Sequence, residues 1–236
     1  MPYFIHQFSL YLHILCGAIA LLVFWLPLWS KKGTPFHRSA GQVFVYGMYA
    51  VSISGIIMST IVLLDPVGIR APDSVLPPDE VNALASRARL FAGFLFMLSI
   101  LVVTNVRHSV LVLQAKANRA QLRTPTHLVL LIFLGLLGVV VGIIGIQNGV
   151  LLFMIFSLVA MGSSTAMLRY SFKKHLKARE WIIEHMGNII GAGIASYTAF
   201  FAFGGSRLFA ELLQGNLSVI PWVLPGIAGG VASAYL

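Results

Sequence analysis

The length of the apolar segments constrains this chain more than any other feature of its sequence. Residues 1–30 and 124–168 contain no Asp, Glu, Lys or Arg, and further segments of more than 20 residues are equally uncharged. A helix needs about 20 apolar residues to cross the hydrocarbon core of a bilayer. Only 10% of the residues are charged, whereas a soluble domain has about 25%. The sequence therefore predicts an all-α protein, an integral membrane bundle of about seven transmembrane helices.

The predicted helices form a single transmembrane domain over residues 1–236. They are placed at 4–29, 36–64, 89–113, 127–146, 149–168, 181–203 and 217–236. The connection 65–88 contains four prolines and four of the seven acidic residues, so it is predicted to be an extramembrane loop. Residues 79–88 are expected to form a short interfacial helix within it. Pro221 and Pro225 interrupt the last predicted helix, which neighbouring helices can tolerate by satisfying the freed carbonyl groups.

Basic residues determine the expected orientation, because the cytoplasmic loops of membrane proteins carry an excess of Lys and Arg. The first, third and fifth connections together carry 12 Lys and Arg, and the rest of the chain carries 4. The N-terminus is therefore predicted outside and the C-terminus in the cytoplasm. The expected partners are the lipid bilayer and, at the basic cytoplasmic loops, anionic lipids. This pattern accounts for the net charge of +9 without a nucleic acid partner.

Small residues at helical spacing indicate surfaces where helix backbones can approach closely. One such stripe in the helix at 127–146 consists of Gly135, Gly138, Gly142 and Gly145. A second stripe in the helix at 181–203 consists of Gly187, Gly191 and Ala195. Both stripes are predicted to pack against neighbouring helices.

Seven histidines in so apolar a chain are its main functional signal, because ionisable residues in or near a membrane are costly and often functional. The candidates for binding a cofactor or a metal ion are His13, His37, His108, His127 and His185. His13 is deep in its helix and is expected to face inward with a polar partner. The other four lie near the cytoplasmic ends of four different helices. Glu184, the carboxylate nearest to this group, is a further candidate metal ligand.

The alternative for any histidine at a helix end is a position in the hydrated headgroup layer. We favour that interpretation for His6 and His175. Two other histidines occur in matched contexts, because the segments 34–37 and 124–127 both read Thr-Pro-x-His. Threonine suits the N-cap and proline the first helical position. The helix dipole disfavours an imidazolium there, and neutral imidazole is the form that binds metals.

Two short segments of the first predicted helices combine histidine with glycine. Residues 12–17 read Leu-His-Ile-Leu-Cys-Gly, and residues 36–41 read Phe-His-Arg-Ser-Ala-Gly, with Tyr46 beyond. These H-x3-G and H-R-x2-G motifs resemble an uncharacterised family of bacterial multi-pass membrane proteins. Residues 181–186 and 198–200 are a weaker match, with Glu184-His185 where the family would have an arginine. The family is a domain of unknown function, so the resemblance implies a bacterial cytoplasmic membrane and no reaction.

Three functions are open for such a histidine-rich bundle, and whether the chain is an enzyme is open with them. The first is a redox membrane protein holding b-type haem, or another metal, between histidines of different helices, such as His37 with His127 or His108 with His185. The second is a transporter or a membrane scaffold without chemistry.

The third function is a zinc-dependent lipid amide hydrolase, in which three histidines would bind zinc and activate a water molecule. The helix count resembles that of the adiponectin-receptor and ceramidase group, which places an aspartate and a serine inside the membrane. Here no Asp or Glu lies well inside a predicted helix, so zinc ranks below haem as the expected cofactor.

The predicted orientation can be tested with reporters fused to the C-terminus. A fluorescent protein is expected to be bright, because it folds in the cytoplasm, and alkaline phosphatase is expected to be inactive. The opposite pattern would show that the segment 217–236 does not span the membrane or that the number of spans is even.

Overall fold

The computed structural model describes residues 1–73, 75–204, 217 and 219–234. Within these residues the chain is helical, with no strand. The helices are α1 (Pro2–Val23), α2 (Trp25–Trp29), α3 (Pro35–Leu64), α4 (Pro66–Arg70), α5 (Pro78–Ala115), α6 (Pro125–Asn148), α7 (Leu151–Phe172), α8 (Glu180–Ala199) and α9 (Ile220–Ala234). A 3-10 turn at Arg119–Arg123 precedes α6, and a π-helical turn at Phe200–Gly204 follows α8. The predicted fold class, an all-α membrane bundle, is confirmed.

Six helical segments of the described residues are long and apolar enough to cross a membrane. They are Pro2–Trp29, Pro35–Leu64, Pro78–Ala115, Pro125–Asn148, Leu151–Phe172 and Glu180–Phe203. The seventh predicted span corresponds to α9, whose 15 residues include Pro225. Fifteen helical residues extend roughly 22 Å, which is shorter than the ~30 Å core of a bilayer. Residues 218, 235 and 236 of that prediction lie outside the described residues.

The connection between α3 and α5 contains more helix than the sequence indicates. Residues 79–88 are the first turns of α5, not a separate interfacial helix, and α4 occupies another part of the predicted loop. Pro78 is the first residue of α5, where its missing N–H is not needed. The Asp65 side chain caps α4 by accepting a hydrogen bond from the Gly68 N–H (2.9 Å). The prolines therefore start helices here instead of excluding them.

Helix α5 is the centre of the bundle, because it packs against α3, α6, α7 and α8. One core cluster forms between α5, α6 and α7 and includes Phe94, Leu131 and Phe153. A second forms between α1, α3, α5 and α8 and includes Phe44 and Val106. Burial in both clusters comes from helix-to-helix contact, so α5 holds the two halves of the bundle together.

The glycine stripe of α6 packs against α7, as its spacing predicts. A Cβ atom at Gly138 would lie 3.1 Å from the Ser157 carbonyl oxygen, and one at Gly145 would lie 3.1 Å from the Met154 backbone nitrogen. The Ser164 hydroxyl donates to the Leu131 carbonyl oxygen of α6 (2.7 Å). The two backbones can approach this closely only because the glycines lack side chains.

The second predicted stripe behaves differently. A Cβ atom added at Gly187 or Gly191 would meet no atom within 4 Å. Both glycines and Ala195 instead line a cavity. The prediction that this stripe packs against a helix is therefore wrong, because the helix facing it, α7, stands away from α8 and leaves the space open.

The two Thr-Pro-x-His segments also differ. Thr34 Oγ1 accepts a hydrogen bond from the His37 backbone N–H (3.2 Å) and so caps α3. Thr124 occupies the N-cap position of α6, but its side chain makes no capping hydrogen bond. The shared sequence thus sets the same helix boundary twice, while side-chain capping occurs only at α3.

The tight contact between α6 and α7 predicts a contrast between two glycine-to-alanine substitutions. Gly138→Ala would push a methyl group against the α7 backbone, and we expect it to lower stability by roughly 1–3 kcal/mol. Gly162→Ala is the matched control, because no atom lies within 4 Å of the added carbon. Alanine is the better helix former, so this variant should be as stable as the wild type or more so. Denaturation of the purified variants in detergent measures both effects, and equal stability of the two variants would contradict the close packing.

Candidate functional site: a buried chain of histidines and glutamate

The buried polar groups of the bundle are organised around His108 of α5. Its Nε2 lies 3.1 Å from Glu184 Oε1 of α8, and its Nδ1 lies 3.0 Å from His127 Nε2 of α6. The two imidazole rings are stacked, with centroids 5.2 Å apart and planes inclined by 17°. Both histidines are 0% exposed. Three helices therefore contribute to one hydrogen-bonded series of side chains, which we call the His-His-Glu chain.

The carboxylate of Glu184 determines the direction of these hydrogen bonds. An ionised carboxylate only accepts, so His108 Nε2 donates to it, and His108 Nδ1 is left with a lone pair. His127 Nε2 must then donate to that lone pair. His127 Nδ1 consequently carries the last lone pair of the series. This nitrogen is buried and has no hydrogen-bond partner among the residues that the structure describes.

Two further side chains hold the His-His-Glu chain in place. The Asn188 amide donates to Glu184 Oε1 (3.1 Å) and to the Glu184 carbonyl oxygen (2.8 Å). The Tyr170 ring meets His108 edge to face, with centroids 5.9 Å apart and planes at 82°. The Tyr170 hydroxyl is buried and makes no hydrogen bond within the described part of the chain. These contacts restrict the rotation of His108 and Glu184, which keeps the donor and acceptor atoms aligned.

The His-His-Glu chain ends at a cavity of about 610 Å³ between α5, α7, α8 and α9. Glu184 and Asn188 line one end, and Thr198 and Trp222 line the rest with mainly apolar neighbours. Glu184 and Thr198 are 14 positions apart, which corresponds to roughly 21 Å along the axis of α8. The cavity therefore covers much of the thickness of a bilayer core, and its one lining carboxylate among the described residues belongs to the His-His-Glu chain.

His37 and His185 form a second location, which the His-His-Glu chain does not include. The Ser109 hydroxyl donates to the His185 carbonyl oxygen (3.1 Å) and accepts from His185 Nδ1 (2.7 Å). His37 Nδ1 donates to the Pro27 carbonyl oxygen (3.1 Å). Both imidazoles thus carry the hydrogen on Nδ1 and the lone pair on Nε2.

The remaining histidines lie apart from both groups. His13 faces inward, and its Nδ1 lies 3.0 Å from the Ser54 hydroxyl of α3. Its depth in α1 led us to expect such an inward position with a polar partner. His175 is exposed, in keeping with a solvated position. His6 is buried and not freely hydrated. The burial arises because its side chain lies on the side of α1 that faces the bundle.

The histidines are not paired as their similar depth predicts, which is His37 with His127 and His108 with His185. His108 pairs with His127, and not with His185, because the α5–α6 contact brings these two rings together. Their ring nitrogens are in direct hydrogen-bond contact, and both nitrogens of His108 are engaged. A metal ion does not fit between them without separating the rings. Among the described residues, no group of three or more His, Cys, Asp or Glu side chains is arranged to hold a metal ion. The described residues therefore lack the three-ligand zinc set that a lipid amide hydrolase needs.

Sequence analysis did not single out three of the supporting residues. Ser54 and Ser109 orient histidines, and Tyr170 packs against His108. Ser109 directly follows His108 in sequence, but nothing in the sequence indicates that it serves His185 instead. Tyr170 lies in the last turn of α7, where tyrosine commonly occupies the membrane interface.

No protein-family model matches this chain, and neither a curated protein nor a solved structure matches it significantly.

Proposed function

We propose that this protein moves protons between one end of its membrane bundle and the cavity between α5, α7, α8 and α9, as part of a proton-coupled transporter. The observation that carries the proposal is the continuous hydrogen-bonded series His127–His108–Glu184, in which both donor–acceptor distances are 3.0–3.1 Å. Proton transfer between side chains requires separations of about this size. Ionisable groups inside a membrane bundle commonly mark ion pathways and proton relays.

The proton enters at His127 Nδ1, whose lone pair is unpartnered in the described structure. His127 Nε2 then passes its own hydrogen to His108 Nδ1, and His108 Nε2 passes its hydrogen to Glu184 Oε1. One proton is taken up and one is delivered, so the charge of the two imidazoles is unchanged. Each imidazole afterwards carries its hydrogen on Nδ1, and the starting arrangement returns when each ring loses that hydrogen and gains one on Nε2 by exchange with water.

Glu184 connects proton movement to the cavity. Its side chain is 24% exposed, although its partner His108 is fully buried. A proton delivered by His108 removes the negative charge of the carboxylate, and loss of the proton restores that charge. In surroundings of low dielectric constant, this difference strongly changes the affinity for a charged ligand. The proposed transporter is therefore built so that the protonation of one residue controls the occupancy of the cavity.

Proton flux into liposomes tests this proposal. With a potassium gradient and valinomycin to set the membrane potential, the wild-type protein should acidify the interior faster than empty liposomes, as an enclosed pH-sensitive dye reports. His108→Phe and His127→Phe keep a planar ring but lack the ring nitrogens, so flux should fall at least tenfold. Glu184→Gln still accepts a hydrogen bond from His108 but cannot take up a proton, so proton flux should fall at least tenfold in this variant too.

His175→Ala is the control for this flux measurement, because His175 is an exposed residue outside the His-His-Glu chain. It should retain the wild-type rate. A wild-type rate in Glu184→Gln and His108→Phe, or no flux through the wild-type protein, would contradict the proposed relay.

A second candidate function, a redox protein with b-type haem, is favoured by one observation at His37 and His185. Both Nδ1 atoms are held by carbonyl or hydroxyl oxygens, so both Nε2 lone pairs would be available to bind the iron of a haem. A carbon atom placed at Gly41, one turn after His37, would meet nothing within 4 Å, so there is space beside this imidazole. The haem, when bound, would supply one-electron chemistry.

An absorption spectrum of the purified protein tests this candidate. Haem held by two histidines gives a Soret band in the wild type, and the band should disappear in His37→Ala and His185→Ala. His13→Ala is the matched control, because it removes an inward-facing histidine of another location, and it should retain the band. A colourless wild-type protein purified from haem-supplemented cells would eliminate the haem-binding candidate.

A further inference from the structure

The polar atoms of the cavity determine which ligand it can recognise. Both amide hydrogens of Asn188 are donated to Glu184, which leaves Asn188 Oδ1 as a free acceptor. Asn105 donates one amide hydrogen to the Leu101 carbonyl oxygen (3.0 Å), and its Oδ1 has no partner in the described structure. Glu184 Oε1 is taken by His108 and Asn188, whereas Oε2 has no hydrogen bond with any described residue. Three acceptor oxygens without a partner among the described residues therefore belong to side chains that line one cavity.

The charge of the cavity also favours a ligand that donates hydrogen bonds, and it favours a cation in particular. Glu184 is the one ionisable residue among its described lining residues, and these include no Lys, Arg or His. An uncompensated carboxylate in a low-dielectric cavity attracts a cation far more strongly than it would in water. Free acceptor oxygens favour a cation that can donate several hydrogen bonds. The complementary group is an ammonium ion.

The rest of the lining is suited to an apolar body. Gly187 and Gly191 leave the space beside α8 open, since an added Cβ atom would touch nothing there. Trp222 and Phe156 lie farther along the cavity, with ring centroids 6.0 Å apart and planes at 77°. Aromatic rings contact both hydrocarbon and cationic groups favourably. A volume of about 610 Å³ is sufficient for a small amphiphilic molecule.

We infer that the cavity binds a protonated organic amine with an apolar body. Its ammonium group donates hydrogen bonds to Glu184 Oε2 and to the Oδ1 atoms of Asn105 and Asn188. Its apolar part lies in the space beside Gly187 and Gly191, on the side of the cavity that leads to Trp222 and Phe156. The inference names the substrate class of the transporter proposed above and rests on that proposal only for the coupling to protons, not for binding.

Coupling follows from the position of Glu184, which serves both the cavity and the His-His-Glu chain. The amine and the delivered proton compete for the same carboxylate, so uptake of a proton by Glu184 releases the amine, and departure of the proton allows binding. Two other titratable groups interact with Glu184. His108 is hydrogen-bonded to it, and the Tyr170 hydroxyl is close enough for an electrostatic interaction with its carboxylate. Protons and amines are therefore exchanged in opposite directions.

Binding is tested by isothermal titration calorimetry of the full-length protein in detergent, with 2-phenylethylammonium as the probe. Its neutral counterpart, 2-phenylethanol, has the same body without the charge. We expect the wild type to bind the ammonium at least tenfold more tightly than the alcohol. Glu184→Gln should lose this preference, because it retains the shape of the side chain and removes its charge.

Two further variants keep the measurement interpretable. Gly187→Leu fills the cavity beside α8 and should abolish binding of both compounds, while leaving the atoms of the His-His-Glu chain unchanged. His175→Ala should bind like the wild type. Equal binding of ammonium and alcohol, a preference that survives in Glu184→Gln, or displacement of the ammonium by equimolar sodium would each overturn the inference.

Comparison with proton flux separates the two proposals. Amine binding that depends on Glu184, in a protein that moves no protons, would support the ligand assignment and contradict the proposed relay. Proton flux that depends on His108, in a protein that does not prefer the ammonium, would support the relay and contradict the ligand assignment. An inward amine gradient that accelerates proton efflux in the wild type, but not in Glu184→Gln, is the result expected if both are correct.

Discussion

The hydrogen bonds of His108 are the interaction on which the interior of this bundle depends. A polar side chain buried among apolar helices is costly unless both its donor and its acceptor find partners. His108 satisfies both conditions, one with Glu184 and one with His127, and the partners come from two different helices. These contacts hold α6 and α8 against α5 at that depth of the bundle. Stability and the proposed chemistry therefore use the same bonds, because the alignment that satisfies the buried nitrogens also suits proton transfer.

Close packing on one side of the bundle contrasts with open space on the other. Between α6 and α7, glycines and serines allow the backbones to approach, and the Ser164 hydroxyl even reaches a carbonyl oxygen of the facing helix. Between α7 and α8, glycines at similar spacing border a cavity. In lipid there is little hydrophobic force between helices, so packing and hydrogen bonding decide which helices touch. The same residue type can therefore close one interface and leave another open.

The two histidine locations differ in what their nitrogen atoms have available. In the His-His-Glu chain the nitrogens are turned toward each other, which suits the passage of a proton. At His37 and His185 the Nδ1 atoms are held by Pro27 and Ser109, and the Nε2 atoms have no hydrogen-bond partner in the described part of the chain. A histidine in a membrane bundle is thus assigned to a role by the partner of its second nitrogen. Depth in the membrane alone does not distinguish these roles.

The sequence by itself determined the class of the fold and most of the helical segments, and it indicated the candidate site residues, because these depend on local properties. Apolar length predicts spans whatever their partners, and a Thr-Pro pair starts a helix from its own geometry, as at α3 and α6. The sequence also predicts that histidines from several helices gather near one end of the bundle. Only the tertiary structure decided that His127 meets His108, that His185 meets Ser109, and that Gly187 and Gly191 border a cavity. Each of these depends on the rotation and separation of whole helices, which follow from the sum of many small packing contacts. These contacts join residues far apart in sequence, so no short segment of sequence predicts them.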